Sequence, residues 1–218
     1  MAGGRLEGPG FGWVLLDEPV ARVEAVVDGR VAALARLGTA RPDVEAAHPE
    51  RPDALLSGFH LDVVPAPGPP RRVVVRAVGV GGATHVVGED ALEAGTTLAG
   101  TGPPRLVAPV PAADAERPWP AVVAGAADLV LLRAFERAAA ARADLGLVVW
   151  GGVHDVVVGG LRRIVAGTWL EGRVRFAEQA APWEERADVV VRHPGGDVLA
   201  LQRLLTHIAG VGRDVEGA

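Results

Sequence analysis

The stretch ARVEAVVDGRVAALARLG, residues 21–38, contains the clearest structural signal in the chain. Apolar residues recur at every second position from Val23 to Val27, the period of a β-strand that buries one face. Asp28-Gly29 follows, a dipeptide favoured in two-residue hairpin turns because both turn positions need a positive φ. The stretch therefore predicts a β-hairpin.

Short apolar segments bounded by Gly, Pro and Asp surround this hairpin, as in all-β domains. In one of them Val73 and Val75 alternate with residues that include Arg72 and Arg76, which is typical of a strand with one face in a core. The segments are GWVLLDE (12–18), SGFHLDVVP (57–65) and RRVVVRAVGV (71–80). The first part of the chain is therefore predicted to consist of β-strands.

The connection after the hairpin begins with Arg41-Pro42-Asp43-Val44. Pro42 fixes its own φ and biases Arg41 towards an extended conformation. We expect Asp43 to accept hydrogen bonds from the free amides of a short helix that follows it. The next strand is expected to start near Ser57-Gly58-Phe59, with Phe59 pointing inward.

Residues 10–80 resemble the Ig-like β-sandwich modules that are attached to bacterial glycosyltransferases and other cell-envelope enzymes. The motifs that carry the resemblance are Trp13, Asp28-Gly29, Arg41-Pro42-Asp43-Val44 and Ser57-Gly58-Phe59. The resemblance implies an Ig-like β-sandwich over about residues 8–95, and it implies a fold without implying a reaction.

The composition changes after this segment. GTTLAGTGPPRLVAPVPAADAERPWPA (95–121) is dense in Gly, Pro and Thr, which predicts a linker over residues 96–119. ADLVLLRAFERAAAARADLG (127–146) then places apolar residues at helical spacing, and later helices and strands alternate. This alternation predicts a small α/β domain over residues 120–212.

Residues 122–208 are similar to the nucleotide-sugar-binding half of GT-B glycosyltransferases. The similar words are LLRAF, VRF, ADVVV and HPGGDVLALQRLL. The resemblance implies a Rossmann-like domain, but the segment VVAGAADLV (122–130) lacks the family's basic residue for the diphosphate. The pair of glutamates that the family carries after ADVVV is also missing, so the domain is expected to be a truncated form without a donor site.

Two glycine pairs are the candidate ligand-binding positions. Gly151-Gly152, with His154 and Asp155, follows an apolar strand and has two interpretations: a small-ligand loop, or a glycine turn with a solvated histidine.

Gly195-Gly196 could present amides to a phosphate at the start of the last helix, with Asp197 as that helix's N-cap in the alternative interpretation. If sugar transfer occurs, Arg162 and Arg163 are the expected diphosphate ligands.

Composition excludes several classes of function. The net charge is −5 and every basic residue is Arg, without a basic stripe, so we expect no nucleic-acid partner. The chain has no Cys, and its six His residues lack metal-ligand spacing, so we expect no metal. No cofactor is implied. No apolar run approaches a membrane span and no export signal opens the sequence, so a cytoplasmic location is expected.

Three functional hypotheses remain. The first is an accessory or degenerate glycosyltransferase-related protein of bacterial surface-glycan assembly, which binds a glycan or a glycosyltransferase partner chain and has no catalytic activity. The second is an active glycosyltransferase that uses a nucleotide-sugar donor. The third is a protein-interaction module without a link to glycans.

Overall fold

The chain divides into two compact units. The computed structural model describes residues 3–108, 118–152 and 154–211, with side chains described as far as residue 207. The first unit comprises Met1–Pro103 with Gly195–Val198, and the second comprises Pro104–Pro194 with Leu199–Ala218. Several antiparallel sheets and one mostly parallel sheet make the fold mixed β and α, which confirms the predicted combination at that level.

The first unit is built from antiparallel strands. Its elements are β1 (Gly3–Gly8), β2 (Phe11–Leu15), β3 (Val20–Val27), β4 (Arg30–Leu34), β5 (Arg36–Thr39), α1 (Pro42–Ala47), a 3₁₀ turn (Ala54–Leu56), β6 (Gly58–His60), β7 (Asp62–Pro65), β8 (Arg71–Gly79), β9 (Thr84–Leu92) and β10 (Thr96–Ala99). They form sheets in the orders β1-β2-β6-β5, β4-β3-β8-β9 and β10-β7.

The predicted hairpin is the pair β3 and β4. Asp28 has φ 51° and Gly29 has φ 74°, the two positive values that a type I′ turn requires. Val27 pairs with Arg30 directly across the turn. The predicted β-hairpin is therefore confirmed.

The connection at residues 41–44 differs from the prediction at one position. Pro42 is the first residue of α1, and Arg41 is the extended N-cap, with φ −132° and ψ 77°. Asp43 lies inside the first turn and is not the cap; its carboxylate accepts hydrogen bonds from Arg41 Nε (2.9 Å) and Nη2 (2.6 Å). Phe59 is buried at 1% exposure, as predicted.

The second unit contains one five-stranded sheet with helices between its parallel strands. Its elements are β11 (Arg105–Val107), β12 (Ala121–Ala126), α2 (Leu129–Ala140), β13 (Leu145–Trp150), α3 (Val156–Val165), β14 (Val174–Ala177), α4 (Ala181–Glu184), β15 (Val189–His193) and α5 (Val198–Val211). The strand order is β11-β15-β12-β13-β14, and β11 is antiparallel to β15 while the others run parallel.

The segment 96–119 is not a simple linker. It contains β10, which pairs with β7 from Thr96–Pro65 to Ala99–Asp62, and β11, which pairs with β15. Residues 109–117, part of the predicted linker, lie outside the described residues. Gly and Pro beside these strands did not prevent pairing, because each short strand lies at the edge of its sheet and needs hydrogen bonds on one side only.

The domain limits of 8–95 and 120–212 also need correction. β1 begins at Gly3, before residue 8, and β10 follows residue 95 within the first unit. β11 belongs to the second unit although it precedes residue 120, and residue 212 lies outside the described range. Short edge strands carry few apolar residues, so a composition-based boundary misses them.

Candidate functional site

The order of the parallel strands marks one edge of the second unit's sheet. β13 and β14 are added on one side of β12, whereas β15 is added on the other side. In open α/β sheets, ligands commonly bind beyond the carboxyl ends of the strands at the point where this direction reverses. The ends of β12, β13 and β15 are therefore the first candidate site.

The turn after β12 is held by hydrogen bonds within the protein. Ala127 N donates to Trp150 O at 2.8 Å, which joins the ends of β12 and β13. Asp128 is the N-cap of α2, and its Oδ1 accepts from Val130 N at 2.7 Å and from Leu131 N at 3.2 Å. Two of the amides at this helix start, those of Val130 and Leu131, are thus already bound to a carboxylate.

The glycine pair after β13 has two different environments. A Cβ on Gly151 would lie 2.6 Å from Val158 Cγ2, so the missing side chain lets α3 pack closely against the strand end. Gly152 faces open space, with no atom within 4 Å of an added Cβ. Gly152 is therefore the more exposed of the two, and the absence of a side chain at Gly151 serves packing.

The start of α3 repeats the arrangement at α2. Asp155 is the N-cap, and its Oδ1 accepts from Val157 N at 2.8 Å. Its backbone N donates to Gly152 O at 2.9 Å, which closes the turn. His154 is exposed. This geometry agrees with the interpretation of the segment as a glycine turn with a solvated histidine.

The electrostatics of this edge disfavour a diphosphate. A helix N-terminus attracts anions through its free amides and its dipole. Here the caps Asp128 and Asp155 are acidic side chains, and Asp128 binds two amides at the start of α2 while Asp155 binds one at the start of α3. A phosphate at either position would have to displace a carboxylate or bind beside one, with repulsion in both cases.

Arg162 and Arg163 do not join this edge. Both lie in the last turn of α3, whereas Asp155 caps its first turn. At a rise of about 1.5 Å per residue, the Cα atoms of these arginines are roughly 10 Å or more along the axis from that cap. The Arg162 guanidinium lies 5.2 Å from the ring centroid of Phe176. The prediction that these arginines act with Gly151-Gly152 on a diphosphate is not supported by this placement.

The second glycine pair, Gly195-Gly196, belongs to the first unit. Gly195 has φ 77°, which an L side chain rarely adopts. A Cβ on Gly196 would lie 2.3 Å from Thr101 Oγ1 and 2.7 Å from Ala35 O. Close packing inside that unit therefore explains why residue 196 is glycine.

Three tryptophans lie on one face of the second unit's sheet, and their grouping on that face was not predicted from the sequence. We call this group, Trp119, Trp150 and Trp183, the tryptophan face. All three are half-buried and pack on a cluster of buried residues: Val122, Ala124, Val148, Ala187 and Val190.

Trp119 lies directly on the backbone of β13. A Cβ on Gly146 would come 2.0 Å from the Trp119 ring, so glycine is required at that position. The ring is further anchored by Nε1, which donates to Gly172 O at 3.3 Å.

Two arginines lie against Trp183 on this face. The Cζ atoms of Arg175 and Arg186 are 5.2 Å and 5.6 Å from its ring centroid, within the range of a cation–π interaction. Arg175 is exposed and Arg186 half-buried. One signal was present in the sequence: Arg175 lies between Val174 and Phe176, where alternation directs it to the opposite face of the strand.

Within the described part of the chain, no group of three or more His, Cys, Asp or Glu side chains could hold a metal ion. In the same residues, no helix combines the length and the apolar character needed to cross a membrane. Comparisons with protein-family models, with curated proteins and with solved structures gave no match to this chain.

Proposed function

We propose that this protein is a non-catalytic accessory component of bacterial surface-glycan assembly that binds a glycan. The observation that carries its non-catalytic character is the pair of carboxylate caps, Asp128 and Asp155, at the two helix starts beside the strand-order reversal. The link to glycans rests on the resemblance of residues 10–80 to modules attached to glycosyltransferases.

The proposal includes the finer fold assignment. An Ig-like β-sandwich for the first unit is supported by its antiparallel sheets and by the β3–β4 hairpin. A truncated Rossmann-like domain for the second unit is supported by the order β14-β13-β12-β15, which corresponds to the order 3-2-1-4. A cytoplasmic location and a glycosyltransferase partner chain remain predictions from the sequence.

Transfer from a nucleotide sugar needs stabilisation of the leaving diphosphate, and loss of one such electrostatic contact costs roughly 3 kcal/mol in the transition state. At the carboxyl edge described above, both helix starts carry a negative side chain in place of a cation. We therefore expect no turnover of common nucleotide sugars by the isolated protein.

Thermal unfolding with millimolar UDP or GDP tests this expectation, and the proposal requires an unchanged melting temperature. A double variant, Asp128→Ser with Asp155→Ser, retains a capping oxygen at each helix while it removes both charges. If the carboxylates exclude phosphate, this variant binds UDP or inorganic phosphate more strongly than the natural protein does.

A glycan array tests the binding half of the proposal, and retention of at least one surface-type glycan is the expected result. A nucleotide-dependent rise in melting temperature that Arg162→Ala and Arg163→Ala together abolish would favour an active glycosyltransferase. If neither a nucleotide nor a glycan binds, the protein is an interaction module and the proposal is wrong.

A further inference from the structure

We propose that Arg175 and Arg186, held against the indole of Trp183, bind the carboxylate of an acidic sugar. The inference rests on the proposed glycan-binding function and names the class of glycan. It places the binding surface on the tryptophan face and not at the carboxyl edge of the sheet.

The first step concerns the charge of the two guanidinium groups. Among the described residues, neither Arg175 nor Arg186 forms an ion pair, and the side chain of each lies against the Trp183 ring. The neighbouring Glu184 is already paired with Arg192. Each guanidinium group is a cation beside the same ring, so an anion bound there would be attracted to both.

The second step concerns the shape of the anion. A guanidinium group is planar and donates two parallel hydrogen bonds to a carboxylate. The cation–π contacts restrict both arginine side chains before any ligand arrives, which lowers the entropic cost of binding. The arrangement therefore suits a carboxylate better than a diffuse charge.

The third step distinguishes a sugar from other anions. Trp119 and Trp150 are half-buried on the same face, so each residue keeps some exposed surface on which the apolar face of a pyranose can pack. Exposed Glu178 and Glu185 are close in sequence to this site. Their negative charge disfavours a densely charged anion such as a polyphosphate more than a sugar with a single carboxylate per ring.

Isothermal titration calorimetry of the full chain with a uronic-acid oligomer, oligogalacturonate, tests the inference. Its methyl ester is the matched neutral ligand, and polyglutamate supplies carboxylates without sugar rings. Each of Arg175→Ala and Arg186→Ala is expected to weaken binding of the oligomer about tenfold or more. Arg30→Ala, at an exposed position of β4, removes the same charge elsewhere and is expected to leave the affinity unchanged.

The remaining outcomes separate this inference from the proposed function. Equal affinity for the ester, equal affinity for polyglutamate, or unchanged binding in both arginine variants would overturn the inference. If neutral glycans bind without any preference for acidic ones, the inference is wrong and the proposed function stands. If a nucleotide sugar is turned over, with release of UDP, while uronate binding still needs the two arginines, the site stands and the non-catalytic function is wrong.

Discussion

Glu24 lies in the first unit, and only 4% of its side chain is exposed. Its replacement by Gln tests how strongly its two charged hydrogen bonds stabilise that unit. Oε1 accepts from Arg22 Nε and Oε2 accepts from Arg76 Nε, each at 2.6 Å. The charge of Glu24 thus joins β3 to β8 across their shared sheet.

The expected loss in the free energy of unfolding follows from these two hydrogen bonds. Glu24→Gln preserves the shape, but the Gln amide nitrogen would face an arginine donor, so one bond is lost and the other is no longer charge-assisted. Hydrogen bonds to charged groups contribute about 1.5–3 kcal/mol each, and neutral ones about 0.5–1.5 kcal/mol. The smaller desolvation cost of the amide offsets part of the loss, which leaves about 2 kcal/mol of the free energy of unfolding.

The stability that Glu24→Gln removes should depend on pH. Burial raises the pKa of Glu24, but the hydrogen bonds and charges of Arg22 and Arg76 outweigh it and hold that pKa below its ordinary value of 4.5. A lowered native-state pKa means that the carboxylate's stabilising effect is fully present above 4.5 and disappears as the pH falls through the native-state value. The natural protein and the Gln variant should therefore converge in acid.

Hydrogen exchange of the amides of β3 and β8 measures the stability of the first unit separately from that of the second. At neutral pH we expect exchange about 30-fold faster in the Gln variant, the equivalent of about 2 kcal/mol. Glu89→Gln is the control, because the Arg72–Glu89 pair also bridges two strands but has side chains 72% and 44% exposed. Equal effects of the two substitutions, or a Glu24→Gln effect that persists in acid, would refute the reasoning.

Three further outcomes are expected. Gly146→Ala should destabilise the second unit by about 1–3 kcal/mol and shift the fluorescence of Trp119, because a Cβ would come 2.0 Å from that ring. Gly159→Ala, in α3 with no atom within 4 Å of an added Cβ, should instead stabilise it by about 0.4–1 kcal/mol; thermal unfolding of both variants gives the comparison. The Asp43 carboxyl should titrate by NMR with a pKa of about 2, since Arg41 stabilises its charged form, and Arg41→Ala should return that pKa towards 3.8.

The sequence by itself determined the elements whose signals are local. The β3–β4 hairpin follows from Asp28-Gly29, since the turn conformation depends on those two residues alone. α2 follows from the helical spacing of its apolar residues, and residues such as Leu132 and Phe135 are indeed fully buried. Both signals act between residues a few positions apart.

Tertiary structure decided the features that depend on partners distant in the chain. β10 forms because β7, about thirty residues earlier, offers a strand edge, and its own Gly- and Thr-rich sequence gives little sign of this. Gly125 and Gly146 have similar apolar neighbours in the sequence, yet Leu131 lies against the first and Trp119 against the second.

The candidate site also combines features that local sequence determines with features that tertiary structure determines. Gly151, Gly152 and Asp155 were singled out because they follow an apolar strand, and the structure places them at the edge of the sheet, where Asp155 is the N-cap of α3. Trp183 with Arg175 and Arg186 could not be predicted in this way, because strand pairing and the packing of α4 bring them together. Side-chain contacts between separate elements depend on the register and packing of the whole sheet, which no short sequence window contains.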